Sequence, residues 1–365
     1  MRLLVNVSSI GERSTGMGVY ATHCARALSD AFDCDVVAPE GATSFDQVIL
    51  RAPLSHSLGA GRGAAVKRWV WAKRQQRFPG RLMYSPTHHT LRKADSEVLT
   101  VHDLIALRFR RQHPLQYLYF SRQLPKELAR TTAVFTVSET SRHDIHDHYR
   151  YPLDRIFVVP NGVDRSAFKP APEKARKPFL LVVGASWPHK NVEELLLHAR
   201  GWRYRYQLVV ASCRGSYRQA LEQHVAKAGL SERVRFIDYV SPGELVELYQ
   251  TCAAYVTASR WEGFGIPPIE ALSCGARVLA SDIPAHREVI GSFGRLIRLG
   301  DREAWEEAFA ELEREDDRDT MPALPVDRYT WAQSGQVLVR ALLDVEPKLT
   351  ESLKSNLAGY VGQIS

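Results

Sequence analysis

Two carboxylates, Glu262 and Glu270, stand eight positions apart in the stretch Arg260-Trp-Glu-Gly-Phe-Gly-Ile-Pro-Pro-Ile-Glu-Ala-Leu-Ser-Cys-Gly275. The glycine turn Gly263-Phe264-Gly265 follows the first acid. Pro267 and Pro268 suit the first turn of a helix, where a missing N–H costs nothing. Glu270 then falls about one turn into that helix, Gly275 ends it, and Arg277–Ser281 reads as a buried strand. One acid is expected on a loop and the other on a helix, flanking a helix N-terminus that favours anions. Such a cradle suits a phosphorylated, polyhydroxylated ligand. The alternative is an N-capping acid plus a surface acid beside an ordinary helix.

Three further segments carry ligand-type chemistry. Gly184-Ala-Ser-Trp-Pro-His-Lys190-Asn191 joins an apolar run to a helical one, and should place backbone amides and an ammonium together. Lysine is a compact cation suited to a diphosphate, although a surface lysine after a tight turn gives the same pattern. Ser8 to Tyr20 holds Gly16 and Gly18, which let a ligand approach the backbone closely. It looks superficially like a dinucleotide fingerprint, but Ala21 occupies the third glycine position. In Thr100-Val-His102-Asp103-Leu104, the histidine follows a strand, at the sheet edge where ligands bind in α/β folds. A lone histidine there is otherwise a structural one.

Taken in order, these pieces resemble the retaining glycosyltransferases of family 4, with their E-x7-E signature and GT-B fold. Val137-Ser138-Glu139 with Ser141-Arg142, and Val159-Pro-Asn161-Gly162-Val-Asp164, match the same family's signposts. The resemblance covers about residues 1–340 and is greatest to the mannosyltransferase-type branch. It implies that Lys190 grips the donor diphosphate and that Glu270 accepts from the ribose hydroxyls. Glu262, with Gly263, Phe264 and Gly265, would orient the donor sugar, and the backbone at Val240 would meet the base. Gly16 and Gly18 would face the donor phosphate and acceptor, with His102 at the donor sugar. Many relatives carry an arginine in the Gly184–Lys190 loop; here Ala185 and Ser186 stand there. Arg260, Arg214 or backbone amides would have to substitute. The resemblance implies no metal and no cofactor beyond the nucleotide-diphosphate sugar itself. GDP-mannose or a related GDP-deoxyhexose is the donor it suggests, with a glycan or lipid-linked acceptor of surface polysaccharide.

The elements that must position these residues read as two α/β series. Apolar runs at 3–8, 35–38, 82–85, 98–102, 133–137 and 156–160 alternate with helical patterns at 18–29, 115–130 and 141–149. A second series alternates from Phe179 to Ser281, with helices at 302–315 and 335–343. Alternation of this kind predicts parallel sheets covered on both faces. The expected fold is α/β GT-B, two Rossmann-like doubly wound domains across a cleft. Boundaries are expected at 1–168 for an acceptor-side domain, 169–177 for a proline- and charge-rich linker, and 178–340 for a nucleotide-sugar domain. The tail 341–365 is left unplaced.

Composition sets the remaining limits. The chain has 365 residues, 45% of them hydrophobic and 24% charged, in keeping with a two-domain globular protein. No run approaches the length of a membrane span, and the N-terminus reads as a strand rather than a signal peptide. The five scattered cysteines suggest free thiols in the cytosol. The net charge is +7, and no acid occurs between Asp46 and Asp95. That interval holds ten Lys and Arg residues with Trp69, Trp71 and Phe78 interleaved. It suits an anionic membrane surface, hence a peripheral place at the cytoplasmic face of the inner membrane. No nucleic-acid motif accompanies it, so no nucleic-acid partner is expected. His143-Asp-Ile-His146-Asp-His148 is read as a solvated face, and the D-x-D matches at Asp33 and Asp317 are set aside because neither stands at a catalytic strand end and such metal sites belong to a different glycosyltransferase fold. Two rival readings remain: a sugar-nucleotide epimerase of similar architecture, and a non-catalytic membrane-surface binder.

Overall fold

A computed structural model describes residues 1–10, 16–42, 45, 47–53, 64–171, 173–314, 324–325 and 328–354. The chain forms two compact units. The first comprises Met1–Leu107, Leu115–Gly162 and Trp331–Ser365; the second comprises Arg108–Pro114 and Val163–Thr330.

The first unit is built on a parallel sheet of seven strands: β1 (Arg2–Asn6), β2 (Cys34–Pro39), β3 (Val48–Ala52), β4 (Phe78–Ser85), β5 (Ala94–Thr100), β6 (Ala133–Thr136) and β7 (Ile156–Val158). Their order is β3-β2-β1-β4-β5-β6-β7. The central strands are buried on both faces. Leu3, Leu4, Val5, Leu82, Met83, Val98 and Leu99 have no exposed surface, as near-continuous apolar runs require in a parallel sheet. Each such side chain stabilises the fold by about 1.5–3 kcal/mol. Ser138 caps the helix Glu139–Tyr149 by accepting from the Ser141 amide at 3.0 Å. His143 and His146 on that helix are turned to the carbonyls of Glu139 and Tyr151, at 2.8 and 2.9 Å.

The second unit repeats the plan with β8 (Phe179–Val183), β9 (Gln207–Ala211), β10 (Val234–Ile237), β11 (Ala254–Thr257), β12 (Val278–Ser281) and β13 (Arg295–Ile297), in the order β10-β9-β8-β11-β12-β13. Its core gathers Trp202, Tyr206, Trp305 and Phe309 around the β8, β9 and β11 side chains. The helix Pro242–Thr251 opens on a full capping box, Ser241 with Glu244, which satisfies two otherwise orphaned donors. In both sheets the strand order reverses beside the first strand. The positions outside the carboxyl ends of β1 and β4, and of β8 and β11, are therefore the topological switch points, where open α/β sheets bind ligands.

Three expectations about organisation are corrected. Residues 169–177 are not a free linker but a strap on the second unit. Lys174 donates to Gln250 Oε1 at 2.7 Å, Gln250 donates to the Lys169 carbonyl at 2.8 Å, and Arg176 donates to the Cys252 carbonyl at 2.8 Å. The passage between units falls at Gly162–Val163 instead. The helix Trp331–Val345 belongs with the first unit, not the second. Gly335 is the reason its approach is close: a Cβ there would lie 2.8 Å from Ala27 Cβ on the helix Gly16–Ala31. The tail beyond it continues as a 3-10 turn, Pro347–Ser352, which lies against the β1–β2 region through the Asp33 amide and the Ser352 carbonyl. Finally, 115–130 is not one helix but two, Pro114–Arg122 and Leu124–Leu128. Pro125 has no N–H to continue the ladder.

Candidate functional site

The second unit assembles the expected charges at its switch point. The loop after β8 carries Lys190 and the loop after β11 carries Glu262. The Lys190 ammonium donates to Glu262 Oε1 at 2.6 Å. Ser259 Oγ donates to the same oxygen at 2.6 Å. The two loops are also joined by backbone: the Arg260 amide donates to the His189 carbonyl at 2.8 Å, and the Arg260 guanidinium reaches Asn191 Oδ1 at 3.0 Å. Burial pushes the Glu262 carboxyl up, but the Lys190 charge and the hydrogen bonds from Lys190 and Ser259 outweigh it. The net pKa lies below the ordinary glutamate value. Glu262 is thus an ionised acid held by a cation at the carboxyl end of the sheet.

Glu270 sits in a different environment. It lies in the helix Ile266–Ser273, which starts after Gly265 at φ +91°. Pro267 and Pro268 fill its first turn, so that turn lacks two amide donors. Tyr249, fully buried, donates its hydroxyl to Glu270 Oε2 at 2.9 Å. Burial raises the Glu270 pKa to about 7, the Tyr249 bond pulling weakly the other way. Among the described residues, the Tyr249 hydroxyl engages one carboxylate oxygen, Oε2, and leaves Oε1 available.

Backbone amides contribute less than expected. In the Gly184–Asn191 loop the amides of Gly184, Ser186, Lys190 and Asn191 donate to backbone carbonyls. The His189 amide donates to Gln112 Oε1 at 3.2 Å, and the Val192 amide to the Tyr217 hydroxyl at 2.9 Å. What this loop offers an anion is mainly the Lys190 ammonium, with the exposed Arg260 beside it. Arg214 is engaged with the Asp238 carbonyl at 2.6 Å. Phe264 is buried edge-on against Tyr329, ring centroids 5.3 Å apart, which fixes the Gly263–Gly265 turn. Val240 is half-buried and lines a groove with Tyr239 and Glu244.

Sequence reading missed several neighbours. A segment from the first half of the chain, Arg108–Pro114, belongs to this unit. Its Arg108 guanidinium lies 3.4 Å above the ring of Trp261, next to Glu262. Ser259, Ser281 and Tyr249 also escaped it, because a serine at a strand end or an aromatic in a helix has no spacing signature.

In the first unit, His102 follows β5. Its Nε2 lies 3.1 Å from the Pro86 carbonyl. A carbonyl only accepts, so Nε2 carries the proton and Nδ1 is the acceptor. Burial lowers the His102 pKa to about 4, so the ring is neutral at pH 7. Tyr20 packs edge-on to it, centroids 4.8 Å apart. Gly16 opens the first helix as an exposed residue and Gly18 is buried within it. Residues 11–15 of the glycine segment lie outside the described residues.

The basic interval is less bare than its sequence suggests. Arg77 pairs with Asp95, Arg81 with Asp35 and Arg92 with Glu127. Trp71 packs against the buried cluster around Leu4, Phe78 and Met83. Lys67, Lys73 and Arg74 are exposed. Arg62 and the side chains of Arg68 and Trp69 lie outside the described residues.

Comparison with known proteins agrees with this architecture. The family described as Glycosyl transferases group 1 matches residues 163–323, and that described as Glycosyltransferase Family 4 matches residues 14–167. The O-antigen chain mannosyltransferase RfbU of Salmonella typhimurium is 30% identical over 86% of this chain and 91% of its own. The O-antigen chain mannosyltransferase B of Escherichia coli is 26% identical over 83% of this chain and 88% of its own. Among solved structures, Anabaena HepE in complex with UDP and glucose superposes with a TM-score of 0.72 at 16% identity, over 94% of this chain and 100% of that one. A sucrose-phosphate synthase of Thermosynechococcus elongatus gives 0.64 at 17% identity, over the full length of both. The two doubly wound units are those of the GT-B fold, and the chain is a glycosyltransferase that belongs to family 4.

Proposed function

We propose that this enzyme transfers a hexose, mannose in the first instance, with retention of configuration. The donor is a nucleotide-diphosphate sugar, and the acceptor a glycan or lipid-linked glycan of surface polysaccharide at the cytoplasmic membrane face. The observation that carries the reading is the Lys190–Glu262 pair, 2.6 Å apart at the second sheet's switch point. The names of the relatives RfbU and mannosyltransferase B support mannose and an O-antigen type of product.

In this reading the diphosphate meets Lys190, with Arg260 as the second cation in place of the loop arginine that many relatives carry. A cation fixed where charge grows on the leaving group acts on the transition state more than on the ground state. Glu270 accepts from the ribose hydroxyls through the oxygen that Tyr249 leaves open. Glu262 and the Gly263–Gly265 turn orient the donor sugar, with the base at Val240. Within the first unit, Gly16, Gly18 and the neutral His102 are assigned to the acceptor side of the reaction. The donor phosphate itself takes the acceptor proton, and no metal is required.

The test is a screen of nucleotide sugars by thermal shift, followed by turnover. A ligand at 100 times its Kd stabilises by about 2.7 kcal/mol. GDP-mannose should stabilise the protein and, without acceptor, yield only slow hydrolysis. An isomerised nucleotide sugar would instead establish an epimerase.

A further inference from the structure

His286 lies on the helix Pro284–Val289, just past β12, and is 1% exposed. Its Nδ1 is 2.8 Å from the carbonyl oxygen of Ser281. That oxygen can only accept, so Nδ1 carries the ring proton. The Ser281 hydroxyl, 3.3 Å from the same nitrogen, donates to the Ser259 carbonyl at 2.6 Å. Ser259 in turn donates to Glu262. Burial holds the His286 pKa below the ordinary value, with Glu262 opposing, so the ring is neutral. Nε2 is consequently a bare acceptor. It is buried and has no hydrogen-bond partner among the described residues.

What Nε2 adjoins is the turn between the two signature acids. A Cβ added at Gly265 would lie 3.6 Å from His286 Cδ2, 3.8 Å from Nε2 and 3.7 Å from Pro268 Cγ. These are ordinary contacts, so the glycine leaves methyl-sized room along the Nε2 edge of the ring. For packing alone an apolar side chain would serve as well. A sealed acceptor with no donor is unfavourable, and such groups in native proteins call for a partner. A sugar hydroxyl is a donor of about the size of that space.

We propose that His286 is a specificity-determining residue whose Nε2 accepts a hydrogen bond from one ring hydroxyl of the transferred hexose at the Gly265 face of the loop. The inference rests on the donor-sugar reading of the Glu262–Gly265 loop. It requires one position of the hexose to bear a hydroxyl, and it makes the analogue lacking that group a poor donor.

The experiment compares GDP-mannose with its four monodeoxy analogues as donors, using the full chain and H286L. Binding of GDP alone is measured first. If no nucleoside diphosphate binds, the donor reading itself fails. With GDP bound, wild type should lose about 5- to 150-fold in kcat/KM for one deoxy analogue, the range expected when a buried acceptor is left without its donor. H286L should lose that discrimination while keeping the other three ratios and wild-type affinity for GDP. Should H286L fold poorly, H286Q, which retains an acceptor, should keep part of the preference. Identical deoxy penalties in wild type and variants, or none in wild type, would overturn the assignment. A purely structural histidine would lower the melting temperature without changing which hydroxyl matters.

Discussion

Glu262 and Glu270 belong to one sequence signature, yet their surroundings drive them to opposite protonation behaviour. Both are largely withdrawn from water, and withdrawal alone raises a carboxyl's pKa. Glu262 has an ammonium at 2.6 Å and ends below the ordinary value. Glu270, among the described residues, has the neutral hydroxyl of Tyr249 at 2.9 Å and ends at about 7. The difference teaches that the spacing places the acids, while their partners set their charge. Glu262 is built as a permanent anion. Glu270 is poised to ionise when a ligand donates to it.

The sharpest way to break the contrast is to remove the cation. Lys190→Ala should lower kcat/KM by about 10²- to 10³-fold, the scale for loss of one preorganised electrostatic group. It should also lower the melting temperature, because Glu262 is then left buried without its counter-charge, which is costly. Adding Glu262→Gln should restore part of the lost stability but none of the activity. A Lys190→Ala enzyme with wild-type kcat/KM would shift the diphosphate role to Arg260. If side-chain cations carry this charge, EDTA should leave turnover unchanged. Loss with EDTA and rescue by Mg²⁺ or Mn²⁺ would contradict the metal-free reading.

Glu270 gives the next largest effect, and it is a pH effect. Its pKa is raised, and in the proposed reading a nucleotide ribose donating to it would stabilise its ionised form. Affinity should therefore be greatest above pH 7 and fall by up to about tenfold per pH unit below it. Calorimetry of GDP binding between pH 5.5 and 8.5 measures this, and Glu270→Gln supplies the control for protonation of the phosphate. A variant with the same pH slope as wild type would remove Glu270 from the ribose. In the free enzyme the sign is opposite. The folded state holds a proton that the unfolded chain releases, so this group's contribution to stability declines as pH rises from about 4.5 to about 7. Tyr249→Phe deletes the one hydrogen bond that lowers the Glu270 pKa. It should move the binding midpoint upward by a fraction of a pH unit and weaken binding a few-fold near pH 7. An unmoved midpoint would show that burial alone sets the value.

The same division marks what could be read without coordinates. The acids, the two prolines and the strand Val278–Ser281 were legible because glycine, proline and apolar runs act locally on the backbone. The Lys190–Glu262 partnership was not, since 72 residues separate the pair and only the parallel crossover from β8 to β11 brings them together. β3 was missed because Val48–Ala52 is an edge strand with alternating exposure, too weak a pattern to stand out. The helix Trp331–Val345 showed its apolar stripe plainly. A stripe states that a face is buried, however, not which sheet buries it, and here it returned to the first unit. The proline-rich stretch at 169–177 looked like a linker because composition reports local stiffness. It does not report the long-range bonds to Gln250 and Cys252 that pin it down.

The smallest expected effect concerns charge at the surface, where the lesson of the two acids also applies. Ten basic residues without an intervening acid looked like an uncompensated patch. Arg77, Arg81 and Arg92 turn out to be paired with acids from outside the interval, two of them the buried Asp35 and Glu127, and each pairing weakens the local field. The exposed basic residues of the interval that could meet an anionic lipid surface include Lys67, Lys73 and Arg74. Each is worth about 1 kcal/mol near such a surface, so three give attachment no tighter than millimolar rather than anchoring. Trp71 adds little, because it packs inward. Co-sedimentation with vesicles should show weak binding that needs anionic lipid, falls as salt rises and is lost when these three residues become Glu. Binding indifferent to lipid charge, or unaltered in the triple variant, would assign the patch to solvation alone.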